Sequence, residues 1–208
     1  MLQQKKLKTG TTTVGMVCKD CVILAAESKS TMGWLISSKT AQKIYQIDDK
    51  IAMTISGGVG DAQALIRILK AEINIYKLTR HADITVKAAT TLLSNILIGS
   101  RWYPYMVMPI VGGVDKDGFH IYSIDPVGGM EDDKFISTGS GSPMAYGVME
   151  NEYKEGIPRE EGIRIAVRAI RSARERDVFS GGRDINVIVI DKDGLRLVDK
   201  EKIKEIAK

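Results

Sequence analysis

The sequence predicts an α+β chain in which paired helices cover a central core of β-structure. Three observations lead there. Short apolar runs rich in β-branched residues come first, two helical stretches follow, strands return, then two more helices and a last strand. Strands and helices therefore arrive in blocks, not in the βαβ alternation of a doubly wound sheet. The 208 residues hold no internal repeat, low-complexity tract or linker, which fits one domain with a sizeable core.

The first two runs, Thr11–Val17 and Val22–Ala26, are joined by Lys19-Asp20 and read as an antiparallel hairpin. Trp34–Ile36 with Lys43–Ile47 reads as a second pair, and Ile51–Ile55 follows across an Asp48-Asp49 turn. At Ser56-Gly57-Gly58-Val59-Gly60-Asp61 the pattern changes. From Ala62 onward Leu65, Ile68, Leu69, Ile75 and Tyr76 fall at helical spacing. A second helix over Val86–Ile98 carries Ala89, Leu92, Leu93 and Ile96 on one side, and Pro104 closes the region. Strands are expected again at Met106–Val111, Phe119–Ile124 and Lys134–Ser137. Ser142-Pro143 suits a third helix with Ser as N-cap and Pro at the first helical position. Pro158 opens a fourth, with Ile163, Ala166, Val167, Ile170 and Ala173 on its apolar face. Ile185–Ile190 is apolar almost throughout, as in a strand buried on both faces. A short charged helix, Lys200–Ala207, finishes the chain.

Composition narrows the function. Hydrophobic content of 44% and charged content of 27% are those of a soluble globular protein. No apolar run approaches the ~20 residues that cross a bilayer. Residues 1–10, MLQQKKLKTG, carry three lysines but no apolar segment, so they do not read as a secretory signal. The net charge of +4 owes three units to Lys5, Lys6 and Lys8; beyond residue 10 there are 27 basic against 26 acidic side chains. The basic balance is thus no argument for nucleic-acid binding. Cys18 and Cys21 form a C-x-x-C without a second ligand pair, and His81 and His120 stand alone, so a zinc site is not expected. A hairpin turn between the cysteines suits ordinary strand-end thiols better than a redox motif, and two such thiols suit a reducing cytoplasm.

Several catalytic machines are absent. There is no P-loop, and SGGVGDAQAL lacks both the lysine and the G-x-G-x-x-G spacing of nucleotide sites. Neither H-E-x-x-H nor G-x-S-x-G occurs. With two histidines, a hydrolase built on a histidine base has few places to find one. Residues 8–15, KTGTTTVG, suggest another scheme. Three threonines suit a strand edge. A threonine at a chain's start can also act as a nucleophile with its own α-amine as base. That amine ordinarily titrates at about 7.7–8.0, and a nearby cation lowers it. The scheme requires the Gly10–Thr11 bond to be cut, because an amide nitrogen is not basic. The small Gly10 would allow close attack there.

The blocks GTTTVG, AAESKSTMG, SSKTAQKIY, MTISGGVGDAQ, TLLSNIL, DPVGG, TGSGSPMAYGVME and RERDVFSGG, in this order, resemble a proteasome β subunit, most closely the archaeal type. The likeness runs from Gly10 to about Ile190. It implies the N-terminal nucleophile hydrolase fold, a four-layer αββα sandwich of two antiparallel sheets between helix pairs. It also implies a propeptide of residues 1–10 that self-cleaves and a single domain over 11–208. By that resemblance Thr11 is the nucleophile, Lys43 a buried ammonium beside it, Glu27 the partner of Lys43 and Gly57 the oxyanion donor. Ser140, Asp177 and Ser180 position the terminal amine and a water. Ser30, Thr31, Ala41, Ile55 and Val59 line the substrate pocket, which Ile55 makes apolar. Glu27 stands where aspartate is usual, Lys29 where arginine is common, and Arg183 follows a longer glycine turn. The implied activity is a threonine endopeptidase acting on unfolded proteins in the cytoplasm, with no metal and no organic cofactor. The implied partners are α subunits, heptameric β rings stacked in pairs and a regulatory ATPase. An unprocessed ring subunit of structural role, with catalysis supplied by a second β type, is the alternative.

Overall fold

The computed structural model describes residues 10–207; the leader expected over residues 1–10 therefore lies, except for Gly10, outside the described residues. The chain opens with β1 (Thr12–Val17), β2 (Val22–Glu27), β3 (Ser30–Met32), β4 (Leu35–Ser38), β5 (Ile44–Asp48) and β6 (Ile51–Thr54). Helices α1 (Val59–Arg80) and α2 (Val86–Gly99) follow. Next come β7 (Ile110–Asp115), β8 (Gly118–Ile124), β9 (Met130–Asp132) and β10 (Phe135–Gly139). Helices α3 (Ser142–Glu152) and α4 (Arg159–Arg176) precede β11 (Ile185–Asp191), β12 (Gly194–Leu197) and α5 (Lys200–Ile206).

Among the described residues the strands form two five-stranded antiparallel sheets, ordered β10-β1-β2-β11-β12 and β5-β6-β7-β8-β9, and a ribbon of β3 with β4. Side-chain alternation explains how the sheets stack. In β2, Ile23 and Ala25 join the core beneath α3 and α4, whereas Val22, Leu24 and Ala26 join the core shared with the second sheet. In β6, Ile51 and Met53 pack under α1 and α2, and Ala52 faces the first sheet. Each sheet is thus apolar on both faces and covered on both, which gives the expected αββα sandwich.

The first hairpin, α2 and α4 match expectation closely; all five residues expected on the α4 face are buried. Other expectations need correction. Residues 34–36 do not pair with 43–47: Thr31 pairs with Ile36 and Met32 with Leu35, whereas β5 pairs with β6. The strand expected at 106–111 begins only at Ile110, since residues 106–108 contribute a lone bridge between Val107 and Gly57. The buried stripe of α1 is Ala62, Leu65, Ile66, Leu69 and Ile73, while Ile68, Ile75 and Tyr76 lie outward. Gly141, not Ser142, is the N-cap of α3. Cys18 and Cys21 are free, buried thiols at the two ends of the β1–β2 turn.

A hydroxyl network ties the two sheets together near their site end. Thr13 Oγ1 bonds Thr138 Oγ1 at 2.8 Å and accepts from Thr54 Oγ1 at 3.1 Å; Ser56 Oγ donates to Thr138 Oγ1 at 3.2 Å. All four side chains are buried, so each hydroxyl must find a partner inside or lose about 1–3 kcal/mol. The network explains a β-strand that spends Thr where Val would pack as well.

Candidate active site

Thr11 lies just before β1, and the elements around it come from both sheets. Glu27 ends β2, Lys43 precedes β5, Ser140 follows β10, and Asp177 caps the C-terminus of α4. Thr11 Oγ1 accepts a hydrogen bond from Lys43 Nζ at 2.7 Å and donates to the Gly10 carbonyl at 2.7 Å. Lys43 Nζ is ion-paired with Glu27 Oε1, and both side chains are buried.

Burial drives the Lys43 amine below the ordinary lysine range, and the neighbouring Glu27 carboxylate opposes that fall. Burial outweighs the carboxylate, so the net direction is downward. Glu27 itself is fully satisfied as an anion. Its Oε1 also accepts from Thr12 N–H at 3.3 Å, and its Oε2 accepts from Lys29 N–H at 2.6 Å and Gly181 N–H at 3.0 Å.

A second chain of bonds approaches Thr11 from the other side. Ser140 Oγ accepts from Thr11 N–H at 3.2 Å and donates to Asp177 Oδ2 at 2.5 Å. Ser180 Oγ donates to the same carboxylate oxygen at 2.6 Å. A hydroxyl has one proton, so Thr12 Oγ1, 2.6 Å from Ser180 Oγ, must be the donor there. The three consecutive threonines now have distinct partners: Thr11 faces Lys43, Thr12 faces Ser180, and Thr13 joins the inter-sheet network.

Thr11, Glu27, Lys43, Ser140, Asp177 and Ser180 thus form one connected set. Gly57 stands apart from it. Gly58 N–H donates to the Met106 carbonyl at 2.7 Å and Met108 N–H to the Ser56 carbonyl at 2.9 Å. These bonds bracket Gly57 and turn its own N–H away from residues 106–108. Gly57 has φ 111°, and a β-carbon there would overlap the Met106 carbonyl oxygen, so only glycine fits.

The expected pocket residues are less unified. Thr31 Oγ1 accepts from Gly10 N–H at 3.4 Å, next to Ser30 at the start of β3. Ala41 N–H donates to the Ser28 carbonyl at 2.8 Å. Ile55 is buried in the core beneath α1, and Val59 begins α1 half exposed. Sequence reasoning missed Thr12, Gly181 and the role of Lys29. The ammonium of Lys29 donates to the Val178 carbonyl at 2.7 Å, strapping the segment that carries Asp177 and Ser180 to the end of β2. No spacing rule reveals a bond across 149 residues; the run of threonines is the one available sign of Thr12.

A family model described as Proteasome subunit matches residues 7–190. The chain belongs to the proteasome subunit family. Among similar proteins, "Proteasome subunit beta" of Methanosarcina mazei is 50% identical over 204 residues, spanning 98% of this chain and 97% of that one. The protein of the same name from Methanohalophilus mahii is 53% identical over 207 residues, 99% and 98% of the two chains. That of Methanothermobacter thermautotrophicus is 47% identical over 204 residues, 98% and 97%. By homology the chain is of the β type within the proteasome family.

Proposed function

We propose that this chain is a catalytic β subunit of a proteasome core particle, a threonine endopeptidase that first removes its own residues 1–10. The observation that carries this reading is the buried Lys43 side chain aimed at Thr11 Oγ1 and held by Glu27. An isolated buried ammonium is costly. Its placement against the one threonine that follows a buried glycine gives it a task.

In self-cleavage, Thr11 Oγ1 attacks the Gly10 carbonyl carbon. The Thr11 hydroxyl proton leaves, the Gly10–Thr11 C–N bond breaks, and the nitrogen takes a proton to become an amine. An ester joins Gly10 to Thr11 Oγ1 until water cleaves it. The same oxygen then attacks peptide substrates, with the freed amine as general base and Lys43 lowering the cost of the alkoxide. Ser140 and Asp177 hold the nitrogen in place. Gly57 N–H serves as the oxyanion donor, and Arg183 and Lys29 lie on the segments flanking the site.

Gly10 N–H donates to Thr31 Oγ1 on β3, which supports substrates lying along that strand with a pocket from Ser30, Thr31, Ala41, Ile55 and Val59. Cleavage is expected after hydrophobic residues. A fluorogenic peptide panel checks this, and a clear preference for acidic residues would overturn it. Exposed apolar side chains on α1 (Ile75, Leu78) and on β3–β4 (Met32, Leu35) suit burial against other subunits. We assign as partners α subunits, paired heptameric rings of this chain and a regulatory ATPase, acting in the cytoplasm. No described helix is long and apolar enough to cross a membrane.

The deciding experiment is intact mass after co-assembly with the cognate α subunit, for wild type and Thr11→Ala. Loss of residues 1–10 from wild type only is expected. An intact chain in both, inside a fully assembled particle, would sink the reading in favour of a structural subunit.

A further inference from the structure

Gly10 is buried, and what surrounds it is specific. A β-carbon added there would overlap the Phe179 β-carbon and lie 2.6 Å from Phe179 Cγ and 3.0 Å from its Cα. These atoms are at the root of the side chain. Rotating the phenyl ring would not clear them.

Residue 179 also cannot retreat easily. Its N–H donates to Asp177 Oδ1 at 3.2 Å, and its ring lies 5.6 Å from that of Trp34. On one side the Val178 carbonyl is held by Lys29 Nζ at 2.7 Å. On the other, Ser180 is bonded to Asp177 and Gly181 N–H to Glu27. The segment is fastened before and after the phenylalanine by groups that also build the site.

We propose that Phe179 is a specificity-determining residue for self-cleavage: its β-carbon is a wall that admits only glycine at position 10. The proposal rests on the self-cleavage reading above and deepens it. It also separates two recognitions on one nucleophile. The residue cut within the chain is read at position 179, whereas residues cut in other proteins are read by Ala41, Ile55 and Val59.

The test is leader removal, followed by intact mass in the assembled particle, for wild type, Gly10→Ala, Phe179→Gly, Gly10→Ala/Phe179→Gly and Gly10→Ala/Phe179→Ala. Wild type and Phe179→Gly are expected to lose residues 1–10. Gly10→Ala is expected to retain them. Removing the wall in Gly10→Ala/Phe179→Gly restores cleavage, whereas Gly10→Ala/Phe179→Ala, which keeps the β-carbon, stays blocked. A cleaved Gly10→Ala overturns the wall, as does a Gly10→Ala/Phe179→Gly chain that stays intact while Phe179→Gly is cleaved. Rescue by Phe179→Ala places the obstruction in the ring and overturns the β-carbon argument. Retention by Phe179→Gly alone shows that the phenylalanine is needed for more than exclusion and also counts against the proposal. An uncleaved wild type instead refutes the parent reading, and this inference with it.

Discussion

A Thr11→Ala chain is expected to hydrolyse peptides slower by a factor on the order of 10⁴–10⁶, the scale seen when a nucleophile is removed outright. The change deletes the hydroxyl and the γ-methyl group. Lys43 Nζ loses the acceptor at 2.7 Å but keeps its ion pair with Glu27, so the folded chain should retain most of its stability. Thr11→Ser keeps the oxygen and should retain cleavage, which distinguishes loss of the nucleophile from a packing defect at a buried position. The two rates, measured with equal amounts of assembled particle lacking residues 1–10, check this. Expressing the Thr11→Ala chain from residue 11 onward, without its leader, would supply that particle. Equal hydrolysis by Thr11→Ala and wild type would remove Thr11 from the chemistry altogether.

Breaking the Lys43–Glu27 pair should have the second largest effect, and it should show in stability as well as rate. Lys43→Met leaves a buried carboxylate whose charge has lost its counterion, at a cost of about 3–5 kcal/mol. For a chain of this size that is a fall in Tm on the order of 10 °C. Turnover should fall at least ~10²-fold, as when an electrostatic stabiliser is lost. Glu27→Gln tests the reverse orphan and gives a pH signature. Lys43 already holds its proton more weakly than a free lysine because it is buried. Between its folded pKa and about 10.4 the unfolded chain binds more protons, so the Lys43 contribution to stability improves as pH rises through that window. Activity that needs the ammonium is lost over the same rise. Without the Glu27 charge the folded pKa drops further, so the alkaline limb of the rate profile should begin at lower pH in Glu27→Gln. Glu27→Asp keeps the charge and should shift the limb less. Superimposable profiles for wild type and Glu27→Gln would show that Lys43 does not act as an ammonium.

Legibility follows the length of each pattern. α4 can be read because Ile163, Ala166, Val167, Ile170 and Ala173 repeat over several turns, and the first hairpin because two β-branched runs flank a two-residue turn. β9 and β12 are edge strands of three and four residues, too short to show alternation. β3 and β4 mislead because their apolar residues face outward, so hydrophobicity suggests a core pairing that does not exist. At the candidate site, Thr11, Lys43 and Glu27 are recoverable from the blocks of likeness. The Lys29–Val178 strap and the contact of Gly10 with Phe179 are not, because backbone carbonyls and β-carbons leave no mark in a sequence.

Thr11 leads into the first sheet and Glu27 ends one of its strands, whereas Lys43 leads into the second sheet. A chain whose sheets have not docked therefore has a threonine and a carboxylate but no ammonium. On the proposed reading, competence to cut the Gly10–Thr11 bond would arise in the same event that closes the inter-sheet core, not before it. Release of the leader, if the proposal holds, would be a timestamp of folding: a half-collapsed chain would be chemically inert, and the clock would start only when the two halves of the sandwich meet.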